Sequence, residues 1–519
     1  MLGIVKLTLM KKILLLGFVS LLLVSCGQQQ QTDMPDLTNK QGDLGNGYYL
    51  NPILGGDYPD PTIMRDGDDY YMTHSAFDYV PGLVVFHSKD LVNWEPISYG
   101  LKTYLGSVWA PDITKYGDKY YIYFTVNSPR SNWVVYADSP YGPWSDPVDL
   151  HIGNIDPCHI VGEDGTRWMF MSNGIRVKLT DDGLAIVPGT EEKVYNGWEY
   201  PSDWVAECFC LEGPKLKYID GYYYFLNAQG GTAGPPTSHM VVAARSKSID
   251  GPWENSPYNP IVRTWNNSDH WWSKGHGSLI DTPEGDWLIV YHAYENGFYN
   301  LGRQTLMEPL EWTGDGWFKI PDNIQPDEPI KKPIASEKQP DRRERLGEFR
   351  VGLDWRFYKD YDPSRFTVEN GVLTLKAKGD RPGNSSPIMF IAGNHAYEVE
   401  VEIEKDPGTT AGITLYYNSD FNAGVGFDSS GRYRFRHNQP SRRGTHDNVN
   451  RMWLRIRNDN QVITASHSYD GVNWEREEWG MELSGYNHNT LHEFQSLLPG
   501  LFAYGEGEVK FRNMKYTIL

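Results

Sequence analysis

Gly67-Asp68-Asp69-Tyr70-Tyr71-Met72 sets a tight turn in front of a run of aromatic and apolar residues, and the same phrase returns four times. It recurs as Gly117-Asp118-Lys119-Tyr120-Tyr121-Ile122, Asp164-Gly165-Thr166-Arg167-Trp168-Met169, Asp220-Gly221-Tyr222-Tyr223-Tyr224-Phe225 and Gly285-Asp286-Trp287-Leu288-Ile289-Val290. Glycine and aspartate suit the turn of a hairpin, and aromatic and β-branched residues suit the strand that follows. The turns begin 47 to 65 residues apart, a period that fits one four-stranded propeller blade. Asp90-Leu91-Val92-Asn93-Trp94, Tyr141-Gly142-Pro143-Trp144 and Asp250-Gly251-Pro252-Trp253 keep the same rhythm further along their blades. No long amphipathic helix interrupts the pattern. The fold class is therefore all-β, with a five-bladed β-propeller over residues 45–320.

Beyond the propeller the composition changes. Five prolines and many charges between Pro321 and Pro340 predict an inter-domain linker over 321–345. Alternation then resumes in Gly371-Val372-Leu373-Thr374-Leu375-Lys376 and in Tyr397-Glu398-Val399-Glu400-Val401-Glu402-Ile403. Short strands without helical stretches predict a C-terminal β-sandwich over 346–519, of jelly-roll or concanavalin-like type.

The first residues read as a targeting segment. Lys11 and Lys12 precede an apolar run from Ile13 to Val24, and Leu23-Val24-Ser25-Cys26-Gly27 is similar to a bacterial lipobox. The expectation is a lipoprotein signal peptide over 1–25, a lipid on Cys26, and a flexible tether over 26–44. That makes the chain an exported bacterial lipoprotein of the periplasm or cell surface, touching a membrane only through its anchor. Cys158, Cys208 and Cys210 remain, an odd number at spacings that suggest neither a disulfide framework nor a zinc site, so buried free thiols are expected.

The 519 residues are 14% aromatic, with 34 Tyr and 18 Trp, and carry a formal net charge of −19. Nothing in that balance offers a phosphate backbone a basic surface, so nucleic acid is excluded as a partner. A neutral polysaccharide is compatible with it, and sugar rings pack their C–H faces on aromatic rings.

In a propeller the first strand of each blade lines the central axis, and its first residues meet at one mouth of the channel. Just upstream of the five turns stand Asp60, Asp112, Asp156, Glu212 and His276. Four carboxylates and an imidazole aimed at one small volume raise one another's pKa and do not serve stability. Such a cluster is where acid/base chemistry is expected.

The motifs around these residues resemble glycoside hydrolase family 43, whose fold is a five-bladed propeller. Asn51-Pro52-Ile53-Leu54-Gly55-Gly56-Asp57-Tyr58-Pro59-Asp60-Pro61 resembles the family's opening motif and carries its general base onto Asp60. Leu211-Glu212-Gly213-Pro214-Lys215 resembles the general-acid motif, with Glu212 as the acid. Ile155-Asp156-Pro157-Cys158 carries the third carboxylate, which orients the acid and raises its pKa, onto Asp156.

Ser75-Ala76-Phe77-Asp78-Tyr79-Val80-Pro81-Gly82 and Leu301-Gly302-Arg303-Gln304-Thr305 are similar to the β-xylosidase and α-L-arabinofuranosidase branch. There Phe77 and Trp109 would wall the sugar pocket and Arg303 would bind the sugar. A loop of the sandwich would close it, with Phe494 as the candidate contact. Asp112 has no catalytic role by resemblance and is read as a pocket-lining or strand-start residue. Lys215 stands where many members have His. No cofactor is needed for catalysis, but the family's matching His often holds a central structural calcium, which makes His276 a candidate ligand.

The resemblance implies an inverting hydrolase that removes terminal β-D-xylosyl or α-L-arabinofuranosyl residues from plant cell-wall polysaccharides or their oligosaccharides. In an inverting site the two carboxyls stand roughly 6.5–9.5 Å apart, leaving room for water. The alternatives are a hydrolase cutting within arabinan or galactan and a non-catalytic glycan-binding lipoprotein.

Overall fold

A computed structural model of the chain describes residues 42–442 and 449–519. The predicted signal peptide, Cys26 and most of the predicted tether lie outside these residues.

Five antiparallel sheets follow one another at 62–101, 107–149, 158–193, 212–263 and 271–319, each with four strands in sequence order, and in the fourth a further strand, Val262–Arg263, pairs with Met240–Ser246. Each sheet is one propeller blade, and each quoted turn joins a blade's first strand to its second. The turn glycines Gly67, Gly117, Gly165, Gly221 and Gly285 all have φ between 59° and 91°, the left-handed region open to a residue without Cβ.

The second strands explain the aromatic composition. In Lys119–Asn127 seven consecutive residues are buried, because a propeller strand is covered on both faces. Ile122, Phe124 and Val126 pack with Leu83 and Val85 of the first blade. Tyr121 and Tyr123, on the opposite face, pack with Met169, Met171 and Val177 of the third. The two-residue period of the strand thus serves two neighbours at once.

The ring closes through the segment that precedes the first blade. Ile53 N–H donates to the Thr305 carbonyl at 3.0 Å and Tyr58 N–H to the Arg303 carbonyl at 2.9 Å. This segment therefore covers the edge of strand Arg303–Trp312 in the fifth blade.

The stretch expected as a linker is a strap. Ile330–Lys331 pairs with Tyr48–Tyr49. The Lys332 ammonium lies 2.7 Å from Asp43, and both side chains are buried. Residues 42–44, expected in the tether, thereby belong to the folded body. Proline content foretold how little regular structure lies here, but the partner that pins the strap lies almost the whole propeller away in sequence.

The sandwich is a seven-stranded sheet facing an eight-stranded one. Strand Arg451–Asp459 shows the sorting: Met452, Leu454 and Ile456 turn into the core while Arg451 and Arg457 face water. At the edge of the eight-stranded sheet, Arg356–Tyr358 pairs with Tyr79–Val80 from the first blade. A sandwich sheet thus continues into the propeller two residues after Phe77. Among the described residues no helix is long and apolar enough to cross a membrane.

Candidate active site

Near the start of the innermost strand, every blade has a residue with left-handed φ at the cavity: Asp60 (55°), Ala110 (32°), Asp156 (61°), Gly213 (57°) and His276 (54°). Residues with a Cβ are strained there by about 1–3 kcal/mol, and the recurrence in every blade marks a built feature. Asp60, Ala110, Asp156 and His276, with Glu212 standing beside Gly213, line one cavity of about 130 Å³. A Cβ at Gly213 would sit tightly, 3.0 Å from the His276 ring. Ile155, Thr232, Phe77, Trp109, Arg303 and Phe494 complete the lining.

Asp112 does not reach this cavity. A β-bulge between Trp109 and Asp112 puts Ala110 at the second blade's kink. Asp112 lies two residues further along, 2.9 Å from the buried Lys215 ammonium, and accepts the His159 N–H at 2.9 Å. Pro111-Asp112 resembles Pro59-Asp60 as a dipeptide, but the bulge shifts its register, so its reading as pocket-lining is corrected. The same contact explains Lys215 in the acid motif: it neutralises a carboxylate buried in the channel.

Asp60 is held from several sides. Arg303 grips it as a fork, Nη1 to Oδ1 at 2.9 Å and Nη2 to Oδ2 at 3.3 Å. The Ser75 hydroxyl donates to Oδ2 at 2.5 Å, and the Asp60 N–H donates to His292 Nδ1 at 3.1 Å. Burial opposes ionisation, but Arg303 above all outweighs it and holds the Asp60 carboxyl well below the usual carboxylate range. Burial likewise pushes His276 down to about 3 and His292 to about 4, so both rings are neutral at neutral pH.

Asp156 and Glu212 are displaced the other way. Burial, then the charge of Asp60, raises the pKa of Asp156. Burial, then the charges of Asp156 and Asp60, raises that of Glu212 well above the carboxyl norm. Asp156 accepts the Gly213 N–H at 2.8 Å, which fixes it beside the residue next to Glu212. The cavity therefore faces a carboxylate kept ionised and a carboxyl kept protonated, which is the equipment of general acid/base catalysis.

The aromatic wall spans both domains. Phe494, from the sandwich, stacks on Phe77 and meets Trp109 edge-on, each with ring centroids 6.0 Å apart. Arg303 lies 5.5 Å from the Phe77 ring and 5.1 Å from that of Phe494. The sandwich loop is docked by Gln495, which donates to Asp78 at 3.0 Å, and by Leu497 N–H, which donates to the Asn300 carbonyl at 2.9 Å.

Protein atoms alone do not supply a calcium cage around His276, so an ion held there would take most of its ligands from water. That ion takes 6–8 oxygen ligands. The buried ring atoms left without partners here are nitrogens, Nε2 of His276 and of His292 and both of His239. The nearby carboxylates are engaged, Asp60 by Arg303 and Asp112 by Lys215. Among the described residues no three His, Cys, Asp or Glu side chains group so as to hold a metal.

Cys208 and Cys210 form a disulfide, which corrects their expected free state, while Cys158 is a buried free thiol. An odd count hid a pair separated by one residue. Ser75, Thr232 and His292 were missed altogether. Ser75 stood within a quoted motif, but nothing local marks His292 as a neighbour of Asp60.

Comparison with known proteins agrees with the fold. The family model described as "Glycosyl hydrolases family 43" matches residues 49–318, and that described as "Beta xylosidase C-terminal Concanavalin A-like domain" matches 348–517. A xylosidase/arabinosidase of Butyrivibrio fibrisolvens is 30% identical over 426 residues, covering 71% of this chain and 78% of its own. A non-reducing end alpha-L-arabinofuranosidase of Bacteroides ovatus is 32% identical over 367 residues, covering 64% of this chain and 65% of its own. The crystal structure of a GH43 protein from Bacillus licheniformis superposes with a TM-score of 0.81 at 28% identity, covering 91% of this chain and all of the other. Both matched regions fall on the two domains that together build the pocket, and the chain belongs to glycosyl hydrolase family 43 and is a glycosidase.

Proposed function

We propose that the protein is an inverting, exo-acting glycoside hydrolase that removes terminal β-D-xylosyl or α-L-arabinofuranosyl residues from plant cell-wall polysaccharides or their oligosaccharides. The observation that carries the reading is Phe494, which the sandwich brings against Phe77 and Trp109 to wall a cavity of about 130 Å³, a size that suits a single terminal sugar. The sugars are those named for the Butyrivibrio and Bacteroides relatives.

In this mechanism Asp60, ionised under the hold of Arg303, accepts a proton from a water on one face of the anomeric carbon. The water oxygen bonds to that carbon as the glycosidic C–O bond breaks. Glu212 gives its proton to the leaving oxygen, and Asp156 keeps Glu212 protonated until then. Export as a lipoprotein anchored through Cys26 belongs to the same proposal, supported by the lipobox-like segment and by the Cys208–Cys210 disulfide, a bond that persists in oxidising compartments.

The test is turnover of 4-nitrophenyl β-D-xylopyranoside and α-L-arabinofuranoside, with the anomer first released from an oligosaccharide read by proton NMR. The expected result is activity on at least one glycoside, an inverted first product, and loss of activity in Asp60→Ala and Glu212→Ala. A retained anomer would overturn inversion. Action only within a polysaccharide chain would overturn exo attack, and no hydrolysis at all would leave a glycan-binding protein.

A further inference from the structure

The loop that enters the fourth blade, residues 194–211, ends at Glu212 and carries a connected set of aromatic rings that the pocket does not use. Tyr200 stacks on Phe209 with ring centroids 5.9 Å apart and on Trp204 at 6.4 Å. Trp204 meets Trp265, from the connection into the fifth blade, edge-on at 5.8 Å. The Arg263 guanidinium lies 3.4 Å from the centre of the Trp204 ring and is held by the Thr237 carbonyl at 3.0 Å. Despite this packing, Phe209 is 41% and Trp265 57% exposed. Clustered exposed aromatics of this kind mark binding surfaces.

The cluster is tied down and lies beside the site. The Cys208–Cys210 disulfide brackets Phe209. Gly230 N–H donates to the Phe209 carbonyl at 3.2 Å, and Glu207 N–H to the Ser238 hydroxyl at 2.8 Å. Those two contacts fasten the loop to residues 230–238, whose Thr232 lines the catalytic cavity.

We propose that Phe209, Trp204 and Trp265 form a platform for the part of the substrate beyond the scissile bond, so that the preferred substrate is an extended, uncharged glycan chain. The inference rests on Glu212 acting as the acid. An acid that protonates the leaving oxygen must stand on the leaving-group side of the pocket. The glycan that departs with that oxygen then passes the loop that carries Glu212, and the exposed surface of that loop is aromatic. Sugar C–H faces gain from stacking on such rings, whereas a short leaving group reaches fewer of them. The disulfide keeps Phe209 in place for this contact.

The experiment compares kcat/KM for a disaccharide and a tetrasaccharide of the sugar that the aryl glycosides identify. Wild type, Phe209→Ala, Phe209→Tyr, Trp265→Ala and the Cys208→Ser/Cys210→Ser pair are measured, each with its melting temperature. The wild type is expected to prefer the longer chain by about tenfold, roughly the effect of one well-stacked ring. Phe209→Ala and Trp265→Ala should bring that ratio toward one, the serine pair should lower it, and Phe209→Tyr should keep it.

A wild-type ratio of one, or a ratio unmoved by both alanine variants, overturns the platform. A wild-type dimer that Trp265→Ala dissociates, with the ratio unchanged, assigns the surface to a second copy of the chain instead. No turnover of any glycoside by the wild type overturns the underlying reading of the site, a result separate from a flat ratio.

Discussion

Phe494 of the C-terminal sandwich lies nearly parallel to Phe77 of the first propeller blade, with ring centroids 6.0 Å apart and 12° between their planes. Each ring comes from a loop with other ties across the domain boundary. Phe77 precedes the strand that joins the sandwich sheet, and Phe494 precedes Gln495, which donates to Asp78. The pocket is thus a product of the interface, and a separated propeller would lack one wall.

Removing that wall should weaken sugar binding without unfolding the protein. Phe494 is half-buried on a loop outside the sandwich core. Phe494→Ala is expected to raise KM and lower kcat/KM by about tenfold, the equivalent of losing roughly 1.4 kcal/mol of apolar contact. The melting temperature should stay close to that of the wild type. A drop in kcat with KM unchanged would contradict the role as a wall.

The two carboxyls carry separate halves of the proposed chemistry. Glu212→Gln and Asp60→Asn should each reduce kcat by about 10²–10⁴-fold, the usual yield of a general acid or base. For Glu212→Gln the loss should be smaller with a 4-nitrophenolate leaving group, which departs without a proton, than with a sugar. Equal losses on both substrates would argue against Glu212 as the acid.

The pH profile follows from the signs of the shifts. Asp60 must be ionised and its pKa is lowered, so the acid limb falls below the ordinary carboxylate range. Glu212 must be protonated and its pKa is raised, so activity is lost as pH rises through a value above that range. Asp156→Asn removes a charge that raises Glu212, and the alkaline limb of kcat/KM should move toward acid pH. An alkaline limb that stays in place would show that burial and the charge of Asp60 set it without Asp156.

Lys215 and Asp112 neutralise each other inside the channel, with both side chains over nine-tenths buried. Lys215→Met leaves the Asp112 carboxylate without its cation. It should cost about 3–5 kcal/mol in urea unfolding, the usual penalty for breaking a buried pair. Lys215→Met/Asp112→Asn should recover much of that loss, and a double variant no more stable than the single would refute the pairing.

Chelation should leave the enzyme unchanged. The free donors about His276 are imidazole nitrogens, and the nearby carboxylates are engaged by Arg303 and Lys215. EDTA treatment followed by buffer exchange is expected to alter neither kcat nor melting temperature. Recovery of lost activity on adding calcium would overturn that expectation.

Much of this molecule was legible along the chain because its signals are local. The five Gly/Asp turns, the aromatic strands behind them and the polar residues ahead of them each depend on neighbours a few positions away. That is enough to count blades and to bring Asp60, Asp156, Glu212 and His276 forward as candidates, while the resemblance to the family singled out the three carboxylates. Pro111-Asp112 failed because a bulge, which shifts register by backbone geometry, leaves no mark on the dipeptide. Cys208 and Cys210 failed because pairing across a single residue is a matter of loop shape.

The sequence by itself determined a five-fold repeat, a second β-rich domain and the carboxylates that face the axis, since turn chemistry and two-residue alternation act over short range. Only the tertiary structure decided that Arg303 grips Asp60, that Lys332 straps Asp43, and that Phe494 completes the wall begun by Phe77. Those pairs are separated by hundreds of residues, and they meet only when the ring closes and the sandwich docks upon it.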